Sequence, residues 1–319
     1  MNRHLLMLLL ALLIFNCSCR SGREELLILH AGSLSVPFKH MAGAFMEKYP
    51  EVSVRLESAG SRTCARKITE LNSPADVFAS ADSAVIRHLL MPRYADFCID
   101  FATNEMVIMY TPKSRYADTI SVQNWPDILL DPRVEYGHSN PVADPCGYRT
   151  LLCWQLAEKY YSIPGLYKTL IVSRPLKNIR PKEVDLLALL EAGELDYIFI
   201  YRSVAEQHDG PFLILPDEIN LRSVELSEYY SQVGVELSGA HPKERIIRKG
   251  APIVYGITIP KSAKSPEWAA RFVVFVLGPE GRRIMETNGQ PEIVPARVDN
   301  FEALPLIVRP FVRDTNIES

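Results

Sequence analysis

The sequence has no excess of positive charge and, beyond its first 20 residues, no long hydrophobic run. Its formal net charge is −3 over 319 residues, and nucleic-acid-binding domains usually carry a basic surface, so we expect no nucleic-acid partner. There is no internal repeat or low-complexity tract, and the three tryptophans form no stacking platform. What remains is an ordinary soluble composition, 47% hydrophobic and 23% charged, at a length typical of two domains or one large one.

Cysteine is scarce, and its spacing argues against a zinc site. Two cysteines lie near the N-terminus, and the other four are Cys64, Cys98, Cys146 and Cys153. None of these four has the close CxxC partner that structural zinc sites use, and we expect no cofactor. An even number of cysteines permits disulfides in an oxidising compartment, but the spacing indicates no particular pairing.

The N-terminus resembles an export signal. Residues 1–4 are short and basic, residues 5–15 are apolar but too few to span a bilayer, and residues 16–22 are small and polar. A cysteine at the cleavage point is typical of bacterial lipoproteins, and either Cys17 or Cys19 fits. We therefore expect a lipoprotein-type signal peptide over residues 1–19, with a plain cleaved signal as the alternative. The mature protein is expected to be exported.

The first hundred residues alternate strands, small-residue loops and helices. Apolar or alternating runs predict strands at 26–30, 51–57 and 75–80, and helical patterns follow at 37–46 and 64–71. This order predicts a parallel sheet flanked by helices. Ligands bind such sheets beyond the carboxyl ends of the strands, where the loops containing Gly32–Ser33 and Gly60–Ser61 are expected.

One loop, Asn-Pro-Val-Ala-Asp-Pro-Cys-Gly-Tyr-Arg at residues 140–149, organises the second half of the chain. A short strand is predicted before it at 134–138 and a helix after it from about Thr150. Its one carboxylate, Asp144, stands between two prolines, which remove amide donors, and Gly147, which permits close approach of another group. The N–H groups at the start of the helix favour an anion. The alternative is an ordinary loop in which Asp144 caps the helix.

Two long predicted strands suggest how the chain crosses between domains. They lie at 104–110 and 253–259 and would connect two α/β lobes with a ligand cleft between them. The predicted division is 24–104 with 255–319 for the first lobe and 105–254 for the second. The loops described above would face the cleft.

At this point the sequence resembles a known family, the tungstate- and molybdate-binding proteins of ABC importers (the WtpA/ModA type), which are extracellular solute-binding proteins. The motifs that carry the resemblance are HAGSL at 30–34, AGS at 59–61, ADVFASAD at 75–82, SNP at 139–141 with DPCGYR at 144–149, LALLEAGELDY at 187–197, PDEINL at 216–221 and NGQP at 288–291. They extend over nearly all of the chain from Leu26 to about Ala296. The resemblance implies a type II periplasmic-binding-protein fold that holds an oxyanion in the interlobe cleft.

The resemblance also implies the ligand-binding residues. From the first lobe these are Gly32, Ser33 and Ser61. From the second lobe they are Asp144, Pro145, Cys146, Glu183 and Tyr201, with Glu183 assigned by its spacing before the tyrosine. The implied partners are the oxyanion and a membrane permease, and the protein is expected to be a monomer.

The implied residues suit a metal-centred oxyanion. Serine hydroxyls and amides stabilise a buried dianion as neutral donors, whereas a carboxylate should repel it. Carboxylates make sense if Asp144 and Glu183 bind the tungsten or molybdenum atom directly and move it from tetrahedral towards octahedral coordination. Sulfate and phosphate cannot expand in this way, so the pair would select against them.

Each assignment has a simpler structural alternative. Ser33 and Ser61 could be plain helix caps, Glu183 a first-turn residue that favours the helix dipole, and Tyr201 a core tyrosine. His30 is expected to be structural. Arg149 could pair with Asp144, anchor its loop or lend charge to the ligand.

Two other functions remain open from the sequence. One is the binding of another oxyanion, such as sulfate or phosphate, in the same fold. The other is an exported hydrolase that uses Cys146 as nucleophile with His138 nearby in the chain.

Overall fold

The structure is a computed structural model that describes residues 23–239 and 243–315. The predicted signal peptide at 1–19 and the candidate lipidation sites Cys17 and Cys19 lie outside the described residues. Of the helices in these two ranges, none combines the length and the apolarity that a bilayer crossing requires.

Strands and helices alternate along most of the chain. The strands are β1 Glu24–His30, β2 Val52–Ser58, β3 Val77–Ser80, β4 Ile99–Thr103, β5 Met106–Tyr110, β6 Tyr136–Ser139, β7 Ile179–Arg180, β8 Tyr197–Tyr201, β9 Phe212–Ile214, β10 Gly234–Ser238, β11 Arg245–Lys249, β12 Val254–Thr258, β13 Glu292–Val298 and β14 Val312–Asp314. The α-helices are α1 Ser35–Lys48, α2 Ser61–Thr69, α3 Ser83–Val85, α4 Trp125–Leu130, α5 Pro145–Tyr160, α6 Leu166–Ser173, α7 Leu187–Glu191, α8 Arg202–Gln207, α9 Asp217–Asn220, α10 Ser227–Tyr230, α11 Pro266–Leu277 and α12 Pro279–Thr287. Short 3₁₀ turns include Gly32–Leu34 and Glu183–Leu186.

The first sheet has seven strands in the order β14-β13-β4-β12-β3-β1-β2. Strand β1 pairs in parallel with β2 and β3, as the order of strands and helices predicts. Helix α1 buries Phe38, Met41 and Phe45 at a spacing of three and four residues. The chain leaves this sheet after β4 and returns to it with β12, which is antiparallel to both β3 and β4.

The second sheet has five strands in the order β7-β6-β8-β5-β9. Strand β6 is parallel to β8, while β5 is antiparallel to β8 and β9. Helix α5 packs on this sheet and buries most of its length, including Trp154. A separate two-stranded hairpin, β10 with β11, follows in the same part of the chain and was not expected from the sequence.

The helix expected from about Thr150 begins five residues earlier, so that prediction was wrong at its start. Helix α5 begins at Pro145, because proline fixes a helical φ and its missing N–H costs nothing in the first turn. Asp144 is the extended residue just before it. A Cβ on Gly147 would collide with the Ser139 carbonyl, so this position needs glycine for close approach.

The two sheets place the carboxyl ends of β1, β3, β6 and β8 near one another. The strand crossings fall between β4 and β5 and before β12. The exact lobe boundaries 24–104, 105–254 and 255–319 stay a prediction.

Candidate functional site

The loop after β1 presents Gly32 and Ser33 in a 3₁₀ turn. The Ser33 hydroxyl oxygen accepts a hydrogen bond from the Tyr255 hydroxyl at 2.9 Å. The Ser33 carbonyl accepts another from Gln290 Nε2 at 2.9 Å. All three side chains are buried, so both the main chain and the side chain of Ser33 are held in place.

Ser61 is the first residue of α2 and is completely buried. Its hydroxyl oxygen accepts a hydrogen bond from the Ala81 N–H at 3.0 Å. The residue in the cap position of this helix is Gly60, and neither α1 nor α2 has a side-chain cap hydrogen bond. The plain-cap alternative for the two serines therefore has no geometric support.

Asp144 occupies the cap position of α5 but makes no side-chain cap hydrogen bond. Its Oδ2 instead accepts the Glu183 N–H at 3.1 Å. Asp144 is 1% exposed and Glu183 0%. A main-chain hydrogen bond from one candidate ligand residue to the other fixes the two carboxylates side by side.

Glu183 begins a 3₁₀ turn and faces the loop that follows β1. A Cβ built on Gly32 would lie 2.8 Å from Glu183 Oε2 and 2.9 Å from Oε1. Glycine at position 32 thus leaves the space that the Glu183 carboxylate occupies. This contact joins the two candidate halves of the site, since Gly32 follows a strand of the first sheet and Glu183 lies between strands of the second.

Three oxygens of this carboxylate pair have no hydrogen-bond partner among the residues that the structure describes: Asp144 Oδ1 and both side-chain oxygens of Glu183. Burial raises the pKa of Asp144. Burial and the charge of Asp144 raise the pKa of Glu183 well above its usual value. Buried carboxylates without partners are costly, which makes these three oxygens candidates for binding a further group.

Tyr201 ends β8 with its side chain fully buried. Its hydroxyl accepts a hydrogen bond from Arg149 Nη1 at 2.7 Å, and the same nitrogen donates to the Ala81 carbonyl at 2.6 Å. Burial raises the pKa of Tyr201 well above its usual value, so its hydroxyl stays protonated. Arg149 therefore anchors Tyr201 to the first sheet and forms an ion pair with Asp82 at 3.7 Å rather than with Asp144.

The hydroxyls of Ser33, Ser61 and Tyr201 share one property. Each accepts a hydrogen bond from a fixed donor, and within the described part of the chain none donates one. A hydroxyl that accepts in this way still has its own hydrogen to give. The site therefore combines three hydroxyl hydrogens with three carboxylate oxygens, all without partners of their own.

Pro145 and Cys146 form the first turn of α5 beside Asp144. The Cys146 thiol donates to the Phe199 carbonyl at 3.6 Å. Burial and the nearby carboxylates raise the pKa of this thiol well above its usual value, so it is not an activated nucleophile.

His138 does not activate Cys146. Its Nδ1 is hydrogen-bonded to the Ser139 carbonyl at 2.6 Å, and its Nε2 lies against Arg174. The four cysteines Cys64, Cys98, Cys146 and Cys153 are all free and buried. The nucleophile and base that a cysteine hydrolase requires are therefore not brought together.

His30 lies directly before the loop that contains Gly32 and Ser33. His30 Nδ1 is hydrogen-bonded to the Ala31 carbonyl at 2.8 Å, in agreement with its expected structural role.

A cavity of about 680 Å³ is lined by Asn104 and Gln290 among others, but the carboxylate pair does not line it. No group of three or more His, Cys, Asp or Glu side chains that could hold a metal ion occurs in residues 23–239 and 243–315.

The sequence analysis did not identify the residues that form hydrogen bonds or ion pairs with the candidate ligand residues and with Arg149 or, in the case of Asn104, with Tyr255. These are Ala81, Asp82, Asn104, Tyr255 and Gln290. They are common residue types far from the ligand loops in sequence, and Tyr255 is 222 positions from Ser33. The NGQP motif at 288–291 could have indicated Gln290, and the ADVFASAD motif at 75–82 could have indicated Ala81 and Asp82.

A family model and two relatives place this chain in one family of proteins. Residues 26–290 match the family described as bacterial extracellular solute-binding proteins. A solute-binding protein of Petrotoga mobilis is 52% identical, covering 91% of this chain and 90% of its own. The molybdate/tungstate-binding protein WtpA of Thermococcus kodakarensis is 39% identical, covering 91% of each chain.

A solved structure has the same architecture. The periplasmic molybdate-binding protein of Azotobacter vinelandii superposes with a TM-score of 0.60, covering 83% of this chain and 98% of its own. At 19% identity this likeness establishes the fold alone. It confirms the predicted α/β fold of the two-lobed, type II periplasmic-binding class. On the family match and the two relatives, the chain belongs to the bacterial extracellular solute-binding proteins.

Proposed function

We propose that this protein binds tungstate or molybdate between its two lobes and delivers the anion to an ABC import permease. The observation that carries the proposal is the pair of buried carboxylates, Asp144 and Glu183, with three oxygens that lack partners within the described residues. The relative from Thermococcus kodakarensis is itself named a molybdate/tungstate-binding protein, which supports the same ligand here.

The carboxylates select the class of ligand. Two like unit charges about 4 Å apart repel by roughly 4 kcal/mol at an effective dielectric constant of about 20, and an oxyanion with two charges is repelled more. Direct bonds from Asp144 and Glu183 to the metal atom replace that repulsion with coordination. Tungsten and molybdenum accept extra oxygen ligands, whereas the sulfur of sulfate and the phosphorus of phosphate do not.

The hydroxyls hold the oxygens of the anion. Ser33, Ser61 and Tyr201 each have a hydrogen to donate, and hydrogen bonds to a charged acceptor are stronger than neutral ones. Gly32, Pro145 and Cys146 contribute main-chain surface at the start of their helical turns, where partial positive charge favours an anion. These neutral donors stabilise the charge of the anion without an ion pair to the ligand.

Sulfate and phosphate are the alternative ligands of the same fold. They could use the three hydroxyls, but they offer nothing to the carboxylate oxygens and would be repelled by them. The hydrolase alternative lacks an activated thiol and an available base, as described above.

The proposed location of the protein is inferred from its family. Its members are extracellular, and we propose that this protein is held at the membrane through a lipid on Cys17 or Cys19. We further propose that it acts as a monomer, needs no cofactor and encloses its ligand by lobe closure.

Isothermal titration tests the proposal. The purified protein, freed of bound anions, is titrated with tungstate, molybdate, sulfate and phosphate in turn. We expect tight binding of tungstate and molybdate and no measurable heat from sulfate or phosphate. Sulfate binding of comparable strength would contradict metal coordination by Asp144 and Glu183.

Variants of the two carboxylates localise the binding. Asp144→Asn should weaken tungstate binding by orders of magnitude, because it removes a ligand to the metal. The matched control is Asp127→Asn, since Asp127 is an exposed aspartate in the first turn of its own helix, α4. Equal affinities of the two variants would contradict the assigned site.

A further inference from the structure

The hydrogen bonds behind Ser33 have a fixed direction. Asn104 lies between β4 and β5, where the chain leaves the first sheet. Its Oδ1 accepts the Glu105 N–H at 2.9 Å. A main-chain N–H can only donate, so the orientation of the Asn104 amide is set, and its Nδ2 must face the other way.

Asn104 Nδ2 makes two hydrogen bonds on that other side. It donates to the Tyr255 hydroxyl at 3.0 Å and to the Ser203 hydroxyl at 2.8 Å. Since the Tyr255 oxygen accepts from Asn104, its own hydrogen is directed to Ser33 Oγ, 2.9 Å away. Ser33 in turn accepts, and its hydrogen is left to point away from Tyr255.

All members of this series are buried. Asn104 is 4% exposed, and Tyr255 and Ser33 are at most 1% exposed. The ring of Tyr255 also lies 6.1 Å from the ring of Tyr201, another proposed donor. Water therefore does not compete for these hydroxyls, and the order of donors and acceptors is preserved from the main chain to Ser33.

We propose that Tyr255, oriented by Asn104, is a positioning residue that directs the hydroxyl hydrogen of Ser33 to the bound oxyanion. The inference rests on the proposed oxyanion-binding function. It adds a reason why the Ser33 hydroxyl hydrogen points towards the anion. Without Tyr255, the Ser33 hydroxyl can rotate and present a lone pair to the anion, which repels it. Tyr255 does not touch the ligand in this account.

A double-mutant cycle with tungstate as the ligand tests this role. The variants are Tyr255→Phe, Ser33→Ala and the two combined, and the dissociation constant is measured by isothermal titration. Tyr255→Phe keeps the ring and should weaken binding by roughly 10- to 100-fold, the range for one hydrogen bond to a charged group. In the Ser33→Ala background the same change should alter affinity by no more than about twofold, because the hydroxyl it orients is gone.

Tyr136→Phe is the matched control. Tyr136 is another buried tyrosine, and its hydroxyl donates to the Leu170 carbonyl at 2.7 Å. Removing this hydroxyl should lower the melting temperature in a similar way to Tyr255→Phe but leave the tungstate affinity unchanged. Replacing a tyrosine that has only a structural role should therefore change the melting temperature but not the tungstate affinity.

The outcomes separate the two proposals. If wild type binds tungstate and Ser33→Ala weakens binding, but Tyr255→Phe has no effect or the same effect in both backgrounds, the positioning role is wrong and the function stands. If Ser33→Ala binds as wild type does, Ser33 donates nothing and the positioning role is again wrong. If wild type does not bind tungstate, the function is wrong and the positioning role with it.

Discussion

At the scale of single residues, the site is defined by what its side chains leave unused. Asp144 and Glu183 are buried with three oxygens lacking partners within the described chain. Ser33, Ser61 and Tyr201 accept hydrogen bonds and keep their own hydrogens. Protein interiors rarely leave such groups without partners, and the two sets together are consistent with the proposed anion that has a metal at its centre.

The cost of this arrangement can be measured on Glu183. Glu183→Gln should weaken tungstate binding strongly and, in the empty protein, raise the free energy of unfolding by about 1–3 kcal/mol, because an amide is cheaper to bury than an unpartnered carboxylate. Urea unfolding of the anion-free protein measures the second effect. Glu194→Gln, at an exposed position, is the control. A less stable Glu183→Gln protein would show that the carboxylate has a partner in the empty state.

At the scale of elements, close contacts join the loop before α2 to the loop before α5. The Arg62 and Thr63 N–H groups both donate to the Ala143 carbonyl, at 3.1 and 3.2 Å. A Cβ on Gly60 would lie 2.5 Å from that carbonyl oxygen. These two loops come from opposite sides of the site, so we expect this contact to form in the proposed lobe closure.

Gly60→Ala should therefore hinder closure. The added methyl group would meet main-chain atoms, which cannot move aside as a flexible side chain can. We expect weaker tungstate binding. Gly43→Ala is the control, because nothing lies within 4 Å of its Cβ and alanine favours the interior of α1 by about 0.5–1 kcal/mol. Unchanged affinity in Gly60→Ala would show that the two loops need not meet.

A mostly buried group of charges, here called the latch and formed by Asp82, Tyr148, Arg149 and Arg248, connects the end of β3 with α5 and β11. Asp82 follows β3, whereas its partners lie on α5 and on β11 of the hairpin. Arg248 Nη2 approaches Asp82 Oδ2 at 2.9 Å, and the Tyr148 hydroxyl donates to the same carboxylate. Burial alone would raise the pKa of Asp82, but the charges of Arg248 and Arg149 hold it well below its ordinary value.

Removing one member of the latch should speed ligand release. Arg248→Gln leaves the Asp82 carboxylate short of one partner in the closed state, and we expect the tungstate dissociation rate to rise on the order of tenfold or more with little change in the association rate. Arg245→Gln on the same strand is the control, since Arg245 is 63% exposed in its 3.4 Å pair with Glu236. Stopped-flow displacement measures both. Equal rates would mean that the latch does not limit opening.

At the scale of the whole molecule, the sequence predicts the order of elements better than the contacts between them. Strands such as β1, β3 and β8 and the loops after them follow from apolar runs and small residues. The β10–β11 hairpin was missed because each strand has only five residues and β11 is largely exposed, so the alternation that indicates a strand is short. The start of α5 was misplaced because the proline and glycine in DPCGYR indicate a loop, although proline is also favoured in the first turn of a helix.

The candidate ligand residues were identified through family resemblance, and their partners could not be. Hydrogen bonds such as Tyr255 to Ser33 join residues 222 positions apart. No local pattern encodes such pairings, because the folded topology alone brings these residues together. The pairing of Arg149 with Asp82 instead of Asp144 likewise depends on how α5 meets the end of β3.

Buried histidine makes the stability of the whole molecule depend on pH. Burial lowers the pKa of His30 to about 4, whereas the unfolded value is about 6.5. Between these values the unfolded chain binds a proton that the native protein does not, so stability is lost as pH falls from about 6.5 towards 4, by up to about 1.4 kcal/mol per pH unit.

The comparison is between wild type and His30→Asn, whose amide can replace the ring Nδ1–H. Urea unfolding at several pH values in this window should show a shallower loss of stability in the variant. Contributions from His138 and the carboxylate pair are common to both proteins and cancel in the difference. Parallel curves would mean that His30 is protonated in the folded protein.

The central claim is that Asp144 and Glu183 bind the metal atom of the anion directly. X-ray absorption at the molybdenum K edge of the molybdate complex tests it most directly, because the pre-edge feature is strong in tetrahedral coordination and weak in octahedral coordination. We expect a weak pre-edge feature in wild type and a strong one, as in free molybdate, in any complex that Glu183→Gln still forms. A wild-type spectrum identical to that of free molybdate would contradict it.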